Sequence, residues 1–241
     1  MEPGQRMTDA SAAAAVVVIV AMEEEAAPFL ERAESVTEVA TGAHAVRRDL
    51  GFGGDDVVLL RSGIGFANAV AAAAYARYTL GSGIRVISAG TAGGLAAGVQ
   101  VGEVVVGSRY LNLNADATAF GYALGQVPGM PAAYAPDAGL AAAALAADSR
   151  EQAVRPGTIG SSEAFVVSDR ALRFRADFPD VLAVDMETAA LAQFAHTHGL
   201  PFVSIRAISD LCAPDGTEFL THVDDAAARS ADVVAATIMA L

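Results

Sequence analysis

The sequence contains no tryptophan, and Phe and Tyr together make up only 6% of its 241 residues. It has a single cysteine, Cys212, so no internal disulfide can form, which fits a reducing compartment. Basic residues are also scarce: 15 Lys and Arg stand against 28 Asp and Glu, giving a formal net charge of −13. Because nucleic-acid binding depends on Lys and Arg side chains that neutralise phosphates, this composition argues against a nucleic-acid partner.

Long hydrophobic runs are absent as well. The one stretch that resembles a signal or a membrane span, Ala12 to Ala21, has ten residues, whereas a bilayer span needs about 20. It lacks the positive flank of a secretory signal and continues into Met22-Glu23-Glu24-Glu25 instead of a cleavage site. We therefore predict a buried strand behind a flexible leader of residues 1–14, in a cytoplasmic protein with no membrane partner.

Hydrophobic residues make up 54% of the chain, enough to bury a core, and the length fits one domain, which we assign to residues 15–241. Short β-branched runs alternate with Ala-rich stretches, a pattern typical of an α/β sheet flanked by helices. The glycines of Gly51-Phe-Gly-Gly54 favour a hairpin, so we predict a central mixed twisted β-sheet. The predicted strands are Val16–Ala21, Ala45–Leu50, Val57–Arg61, Arg85–Ala89, Glu103–Val106, Thr158–Ser161, Leu182–Asp185 and Phe202–Ser209. The predicted helices are Glu23–Ala33, Ala67–Leu80, Asp137–Ala147, Ser168–Phe178, Glu187–His198 and Asp224–Ala240.

Ligands of open α/β sheets bind beyond the carboxyl ends of the strands, so the residues that follow each predicted strand are the first candidates. One strand is followed by Glu23-Glu24-Glu25, and another ends in Val184-Asp-Met-Glu187. Glycine-rich turns at Ser62–Gly65 and Ser88–Gly94 would let the backbone approach a ligand closely. Each feature has a structural alternative, because acids in a first helical turn complement the helix dipole and glycine turns also occur for steric reasons.

Arg206 lies inside an apolar predicted strand, where an unpaired charge would cost several kcal/mol. It therefore predicts a buried carboxylate nearby, which Glu25 or Glu187 could supply. Asp210 follows the same strand, and partial burial there would raise its pKa and suit it to donate a proton. A purely structural Arg–Asp network is the alternative. The pair His196-Thr-His198 lacks the helical spacing of common zinc sites, so we predict no metal site.

Segments at these strand ends and in the long unpatterned loop from Asn112 to Pro136 match one known family together and in the family's order. The chain resembles the 5′-methylthioadenosine/S-adenosylhomocysteine nucleosidases of the nucleoside phosphorylase-like superfamily. The resemblance implies a purine/uridine phosphorylase-like fold, hydrolysis of the N-glycosidic bond of 5′-substituted adenosines with release of adenine, no cofactor, and a homodimer. The matching segments are Ala21-Met-Glu-Glu-Glu25, Ser62-Gly-Ile-Gly65, Gly90-Thr-Ala-Gly-Gly-Leu95, Thr118-Ala-Phe-Gly-Tyr122, Gly125-Gln-Val-Pro-Gly129, Glu163-Ala-Phe165, Val184-Asp-Met-Glu187 and Arg206-Ala-Ile-Ser-Asp210.

The resemblance also implies a role for each matching residue. Asp210 would protonate adenine at N7 and Glu25 would act as the general base on water. Phe165 would stack on the adenine, and the backbone of Val166 would bind its edge. The further residues implied to bind substrate are Met22, Ile64, Thr91, Ala92, Gly93, Asp185, Met186, Glu187, Arg206, Ser209 and Phe219. Two residues of the long loop, Phe120 and Pro128, would reach into the site of the neighbouring subunit.

The chain departs from the family's usual residues at a few positions. Thr91 stands where Ser is usual, Asp185 replaces a more usual Glu, the segment Tyr110-Leu-Asn-Leu-Asn114 differs, and the loop from Asp210 to Phe219 is one residue shorter. Because that loop borders the pocket for the 5′ substituent, the sequence leaves substrate preference open among methylthio, homocysteinyl, deoxy and aminodeoxyfutalosine compounds.

Two other functions stay open at this point. A nucleoside phosphorylase on the same fold would carry an Arg before the glycine-rich loop to bind phosphate, whereas Ser88 occupies that position here. Acids around the nucleophile position favour water over phosphate. A noncatalytic nucleoside-binding protein is the second alternative, and the presence of both Asp210 and Glu25 argues against it.

Overall fold

The computed structural model describes residues 15–41, 44–52, 54–147, 153–213 and 217–241. The strands within these ranges are β1 (Val16–Val20), β2 (Ser35–Val39), β3 (Val46–Phe52), β4 (Asp55–Arg61), β5 (Arg85–Gly94), β6 (Val104–Asn112), β7 (Val154–Ser161), β8 (Val181–Asp185) and β9 (Phe202–Asp210). The helices are α1 (Glu23–Arg32), α2 (Phe66–Leu80), α3 (Ala138–Ala146), α4 (Ser168–Asp177), α5 (Thr188–His198) and α6 (Thr217–Met239). A short 3₁₀ turn, Thr118–Phe120, lies between β6 and α3.

The strands form one mixed sheet in the order β2-β3-β4-β1-β5-β8-β7-β6-β9, and β5 also pairs with β9, so the second half of the sheet closes on itself. β1 is parallel to β4 and β5, and β9 is parallel to β5. β3 is antiparallel to both β2 and β4. The predicted mixed α/β sheet is confirmed, as is the predicted hairpin that joins β3 to β4.

β1 lies at the centre of the open half of the sheet because its five side chains are apolar and alternate between two covered faces. Val18 packs in a core with Phe29 of α1 and Val234 of α6. Ile19 packs on the other face in a core that includes Ala69 of α2. Helices on both faces therefore explain why this strand has a continuous apolar sequence.

Several elements differ from the predictions. The sequence does not predict β2, because four of its five side chains are exposed and carry little apolar signal. β5 extends through glycines that we predicted as a turn, because β9 supplies it with pairing partners as far as Asp210. α6 begins at Thr217 instead of Asp224, since no side chain from 217 to 223 is buried and apolar periodicity is weak there. β6 and β7 are also longer than predicted.

The carboxyl ends of β1, β4, β5 and β9 lie at one edge of the sheet, because these strands are parallel neighbours. That edge is where the sequence places the candidate residues. The leader predicted for residues 1–14 lies outside the described residues. No helix in the described ranges is both long enough and apolar enough to cross a bilayer.

Candidate active site

A cavity with an empty volume of about 660 Å³, partly open to solvent, lies at the carboxyl edge of the sheet. Its walls bring together residues from seven separate parts of the chain: after β1, after β4, in β5, after β7, around β8, at the end of β9 and in α6. The lining residues are Ala21, Met22, Glu25, Ile64, Thr91, Ala92, Gly93, Ala164, Phe165, Val166, Val184, Asp185, Met186, Glu187, Ser209, Asp210 and Phe219. Every residue that the sequence analysis assigned to the site lines this cavity, with three exceptions: Arg206, Phe120 and Pro128.

Arg206 lies directly behind the cavity wall and is 1% exposed. The prediction that this buried guanidinium has carboxylate partners is confirmed, and the nearest is one that the sequence analysis did not propose. Its Nη2 lies 2.9 Å from Asp185 Oδ2 and 3.6 Å from Glu187 Oε2, and its Nη1 lies 3.9 Å from Glu25 Oε1. Nη2 also donates to Ser88 Oγ at 2.8 Å. Three buried carboxyl groups therefore share one cation.

Glu25 is held by backbone and side-chain donors at the start of α1. Its Oε2 accepts hydrogen bonds from the N–H groups of Ala21 and Met22 at 2.8 and 3.2 Å. Its Oε1 accepts from the N–H of Thr91 at 2.8 Å and from the hydroxyl of the same residue at 3.1 Å. Thr91 therefore contacts Glu25 through both its backbone and its hydroxyl. These four donors fix the carboxylate at the cavity wall.

Gly90 lets the glutamate and the arginine approach the central strand. Its φ of +146° belongs to the region that favours glycine. A Cβ at this position would lie 2.3 Å from Glu25 Oε1 and 2.6 Å from Arg206 Nη1, which is closer than van der Waals contact allows. The backbone of β5 therefore lies directly against both charged groups, in space that a side chain at this position would need.

Glu187 follows β8 and directly precedes α5. Its Oε1 accepts a hydrogen bond from the N–H of Gly65 at 2.9 Å, so the glycine-rich turn after β4 contacts the site through its backbone. Burial raises the pKa of Glu187 to about 8, and the negative charges of Asp185 and Glu25 add to this effect, whereas Arg206 opposes it. The carboxyl group of Glu187 is therefore mostly protonated at neutral pH.

Asp210 ends β9 in a different environment. Its Oδ2 accepts from the Ser209 hydroxyl and its Oδ1 from the N–H of Cys212, both at 2.9 Å. Burial raises the pKa of Asp210, and the two hydrogen bonds only partly oppose it. Such a group holds a proton more readily than an exposed aspartate and can donate it to a ligand.

Two aromatic side chains lie at the end of the cavity that opens to solvent. The rings of Phe165 and Phe219 meet edge to face, with centroids 5.6 Å apart and an interplanar angle of 73°. Phe165 is 45% exposed and Ile64 is 48% exposed, although both are large apolar residues. Exposed apolar surface at the rim of a cavity is typical of a binding site for an apolar ligand group. Phe120 is 84% exposed and lies outside this cavity.

The sequence analysis missed residues that hold the lining residues in place. Ser161 and Thr188 both bind Asp185 through their hydroxyls, and neither lines the cavity. The spacing Asp185-Met-Glu-Thr188 is a signal for the second, because an Asp three residues before a helical Thr can accept its N–H. Ser161 carries no comparable sequence signal, since its position depends on how β7 and β8 pair.

The part of the chain that the structure describes contains no group of three or more His, Cys, Asp or Glu side chains placed to hold a metal ion. The titratable groups of the cavity instead form two separate sets, one around Arg206 and one around Asp210. Two carboxyl groups at one cavity, of which one readily holds a proton, can act together as acid and base.

Comparisons with known proteins agree with one another. Residues 15–239 match the family model of the phosphorylase superfamily. The 5′-methylthioadenosine/S-adenosylhomocysteine nucleosidase of Anoxybacillus flavithermus is 41% identical over 185 residues, covering 75% of this chain and 79% of that protein. The nucleosidase of Neisseria meningitidis, in complex with methylthio-immucillin-A, has a TM-score of 0.89 and 40% identity, covering 94% of this chain and 99% of that one. The Colwellia psychrerythraea enzyme, in complex with adenine, has a TM-score of 0.89 and 32% identity, covering 94% and 95% of the two chains.

Proposed function

Because the chain belongs to the 5′-methylthioadenosine/S-adenosylhomocysteine nucleosidases of the phosphorylase superfamily, we propose that it hydrolyses the N-glycosidic bond of these nucleosides with Asp210 as the acid and Glu25 as the base. The products are adenine and the 5′-substituted thioribose. The observation that carries this assignment is the placement of both carboxyl groups on one cavity, with different partners for each.

Departure of adenine needs a proton, because breaking the bond leaves the electron pair on the base. Asp210 supplies it to N7, and its raised pKa keeps it protonated at a higher pH than an ordinary aspartate. Ser209 and the N–H of Cys212 orient the two carboxyl oxygens. Phe165 stacks on the adenine ring, and the backbone of Val166 binds its edge.

The sugar becomes an oxocarbenium-like cation that water attacks at C1′. Glu25 takes the proton of this water, and four hydrogen bonds hold the glutamate in place. Glu187 binds the ribose hydroxyls, and Met186 packs beside the sugar. The carboxylates of Glu25 and Asp185 outnumber the single guanidinium of Arg206, so the wall of the cavity is negative and stabilises the cation as it develops.

The 5′ substituent lies against Met22, Ile64 and Phe219, which are apolar and line one cavity. A methylthio group fits such a lining because it is small and apolar, and a homocysteinyl group can extend outward through the open rim. Ala92 and Gly93 form the wall beneath the nucleoside with their backbone.

The chain acts as a homodimer in the cytoplasm. Phe120 and Pro128 are both exposed on the long segment between β6 and α3 and do not line the cavity of their own subunit. They reach into the cavity of the neighbouring subunit, which removes a large aromatic side chain from water. Sedimentation at micromolar concentration is expected to show a dimer of the 24.4 kDa chain, and Phe120→Ala is expected to weaken substrate binding. A monomer as the only species would contradict this assignment.

The reaction is tested by incubating the protein with 5′-methylthioadenosine in the presence and absence of phosphate. We expect the same rate of adenine release in both, with methylthioribose as the sugar product, because the cavity is acidic and Ser88 takes the place of a phosphate-binding Arg. Methylthioribose 1-phosphate as the product would establish a phosphorylase instead. Binding without any adenine release would establish the noncatalytic alternative.

A further inference from the structure

We propose that Asp185 is a positioning residue that orients Arg206 and Glu187 for the reaction and does not itself bind the nucleoside. This inference rests on the proposed function, and it changes the role that the family resemblance implies for Asp185. The argument depends on what the two oxygens of this carboxyl group already bind within the protein.

Both oxygens of Asp185 are occupied by donors of the protein itself. Oδ1 accepts a hydrogen bond from the Ser161 hydroxyl at 2.5 Å, and it also receives the N–H groups of Glu187 and Thr188 at 3.4 and 3.3 Å. Oδ2 accepts from the Thr188 hydroxyl and from the N–H of the same residue at 3.2 Å, and it forms an ion pair with Nη2 of Arg206 at 2.9 Å. A carboxylate has about four lone-pair sites, so no good acceptor site is left for a ribose hydroxyl.

The same contacts connect Asp185 to several elements of the site, and these elements must keep their relative positions. Ser161 belongs to β7, Thr188 begins α5, and Arg206 belongs to β9, so one carboxylate connects three elements to β8. By accepting N–H groups at the start of α5, it fixes the backbone from which Glu187 projects.

The hydroxyls around Asp185 continue this network into the core. Thr188 Oγ1 lies 2.7 Å from Ser204 Oγ, and Ser161 Oγ accepts the N–H of Ala189 at 2.8 Å. The N–H of Ser204 donates to the buried hydroxyl of Tyr110 at 2.9 Å. A movement of Asp185 would therefore leave several buried polar groups without partners, which is costly in a low-dielectric interior.

Asp185 is also the nearest counter-ion of Arg206, since its 2.9 Å contact is shorter than those of Glu187 and Glu25. The groups that face Glu187 are Arg206 from β9, Asp185 from β8 and Glu25 from α1. Tyr110 of β6 faces Arg206 as well. If Asp185 lost its charge, Arg206 would interact more strongly with the other two carboxyl groups, and the ionised form of Glu187 would gain stability.

The test is the nearly isosteric variant Asp185→Asn, assayed with 5′-methylthioadenosine from pH 5.5 to 9.5. We expect kcat to fall about 10- to 100-fold with KM within about threefold of the wild type, because geometry is lost and no substrate contact is removed. Because Glu187 binds the ribose hydroxyls and has a pKa raised to about 8, we assign to it a limb of the wild-type pH profile near pH 8, and we expect this limb to move to lower pH by on the order of one unit when the neighbouring negative charge is gone.

Asp185→Glu restores the charge with one more methylene. We expect its pH limb to return to the wild-type position while kcat recovers only in part, because the longer side chain meets Thr188. Asp180→Asn, in the exposed turn before β8, is the matched control and should behave as the wild type.

A tenfold or larger rise in KM with an unmoved pH limb in Asp185→Asn would overturn the positioning role and make Asp185 a substrate ligand. If that variant does not fold, the same rise in KM in Asp185→Glu would overturn it. These results are distinct from failure of the proposed function, because in that case the wild-type protein would release no adenine in the same assay.

Discussion

The two ends of the cavity place their carboxyl groups in opposite electrostatic environments. At the end that we assign to the departing base, Asp210 is held by one hydroxyl and one backbone N–H, and no described Lys, Arg or His lies within ion-pair distance. At the end that we assign to water, three carboxyl groups surround Arg206. The proposed proton donor is thus kept away from cations, whereas the groups proposed to stabilise the developing cation share one counter-ion.

Asp210→Asn should have the largest effect, because it removes the proposed acid, and the other carboxyl groups that line the cavity in the described ranges belong to the set around Arg206. Asparagine fits the same space and can still accept the N–H of Cys212, but it has no proton to give. We expect kcat for 5′-methylthioadenosine to fall by roughly 10³–10⁴-fold, at the upper end of general acid catalysis. Isothermal titration calorimetry should still detect binding of the nucleoside.

The control for this variant is Asp169→Asn, on the first turn of α4 and outside the cavity, which should keep full activity. Turnover of Asp210→Asn at the wild-type rate would exclude Asp210 as the acid. The two ends of the cavity would then not differ in the way described above.

Glu25→Gln should have a smaller effect, because the water end keeps Asp185, Glu187 and Arg206. The amide of glutamine has one acceptor oxygen, so it can keep the N–H contact of either Ala21 or Thr91 but not both, and it cannot take a proton from water. We expect kcat to fall by roughly 10²–10³-fold, measured by adenine release. A larger fall in kcat than that of Asp210→Asn would show that the reaction depends more on Glu25 than on Asp210.

Glu187→Gln should have the smallest effect of the three substitutions. We expect this effect in the pH dependence of the thermal stability. Glu187 has a pKa of about 8 in the folded protein against an ordinary value of 4.5, so the folded state keeps a proton that the unfolded chain has lost. Stability contributed by this group therefore falls as pH rises from about 4.5 to about 8. The melting temperature of the wild type should fall more between pH 6 and pH 8.5 than that of Glu187→Gln, by about 2–5 °C.

Glu24→Gln, at an exposed position of α1, is the matched control and should keep the wild-type pH dependence of the melting temperature. If Glu187→Gln follows that same dependence, Glu187 does not hold a proton in the folded state. The groups around Arg206 would then carry one more negative charge at neutral pH.

The sequence predicted the kind of partner that Arg206 has, but not its nearest partner. A charged residue in an apolar strand must be paired, and this rule needs no knowledge of the fold. Which carboxylate lies nearest depends on the position of β8 relative to β9 in the closed half of the sheet. That order comes from pairings between strands far apart in sequence, and no local pattern contains it.

The glycine-rich segment after Ala89 shows a similar limit. Its sequence is typical of a turn, yet β5 continues through it because β9 provides hydrogen bonds on one side. A register shift between Ala92 and Gly93 then brings Gly93 opposite Asp210. The residues that bound the cavity were therefore predictable from their positions at strand ends, whereas the extra strand length that shapes its wall was not.

Substitution at Gly90 and substitution at the rim of the cavity are expected to have different evolutionary consequences. One added methyl group at this position would displace Glu25 or Arg206, and β5 cannot move away because it is paired with β1 and β9 on both sides. Ile64 and Phe219, in contrast, lie at the partly open rim, where a different side chain changes the space for the substrate without disturbing the sheet. Substrate range can therefore change through gradual substitution at the rim among descendants of this chain, whereas a single substitution at Gly90 is expected to lower activity by displacing Glu25 or Arg206.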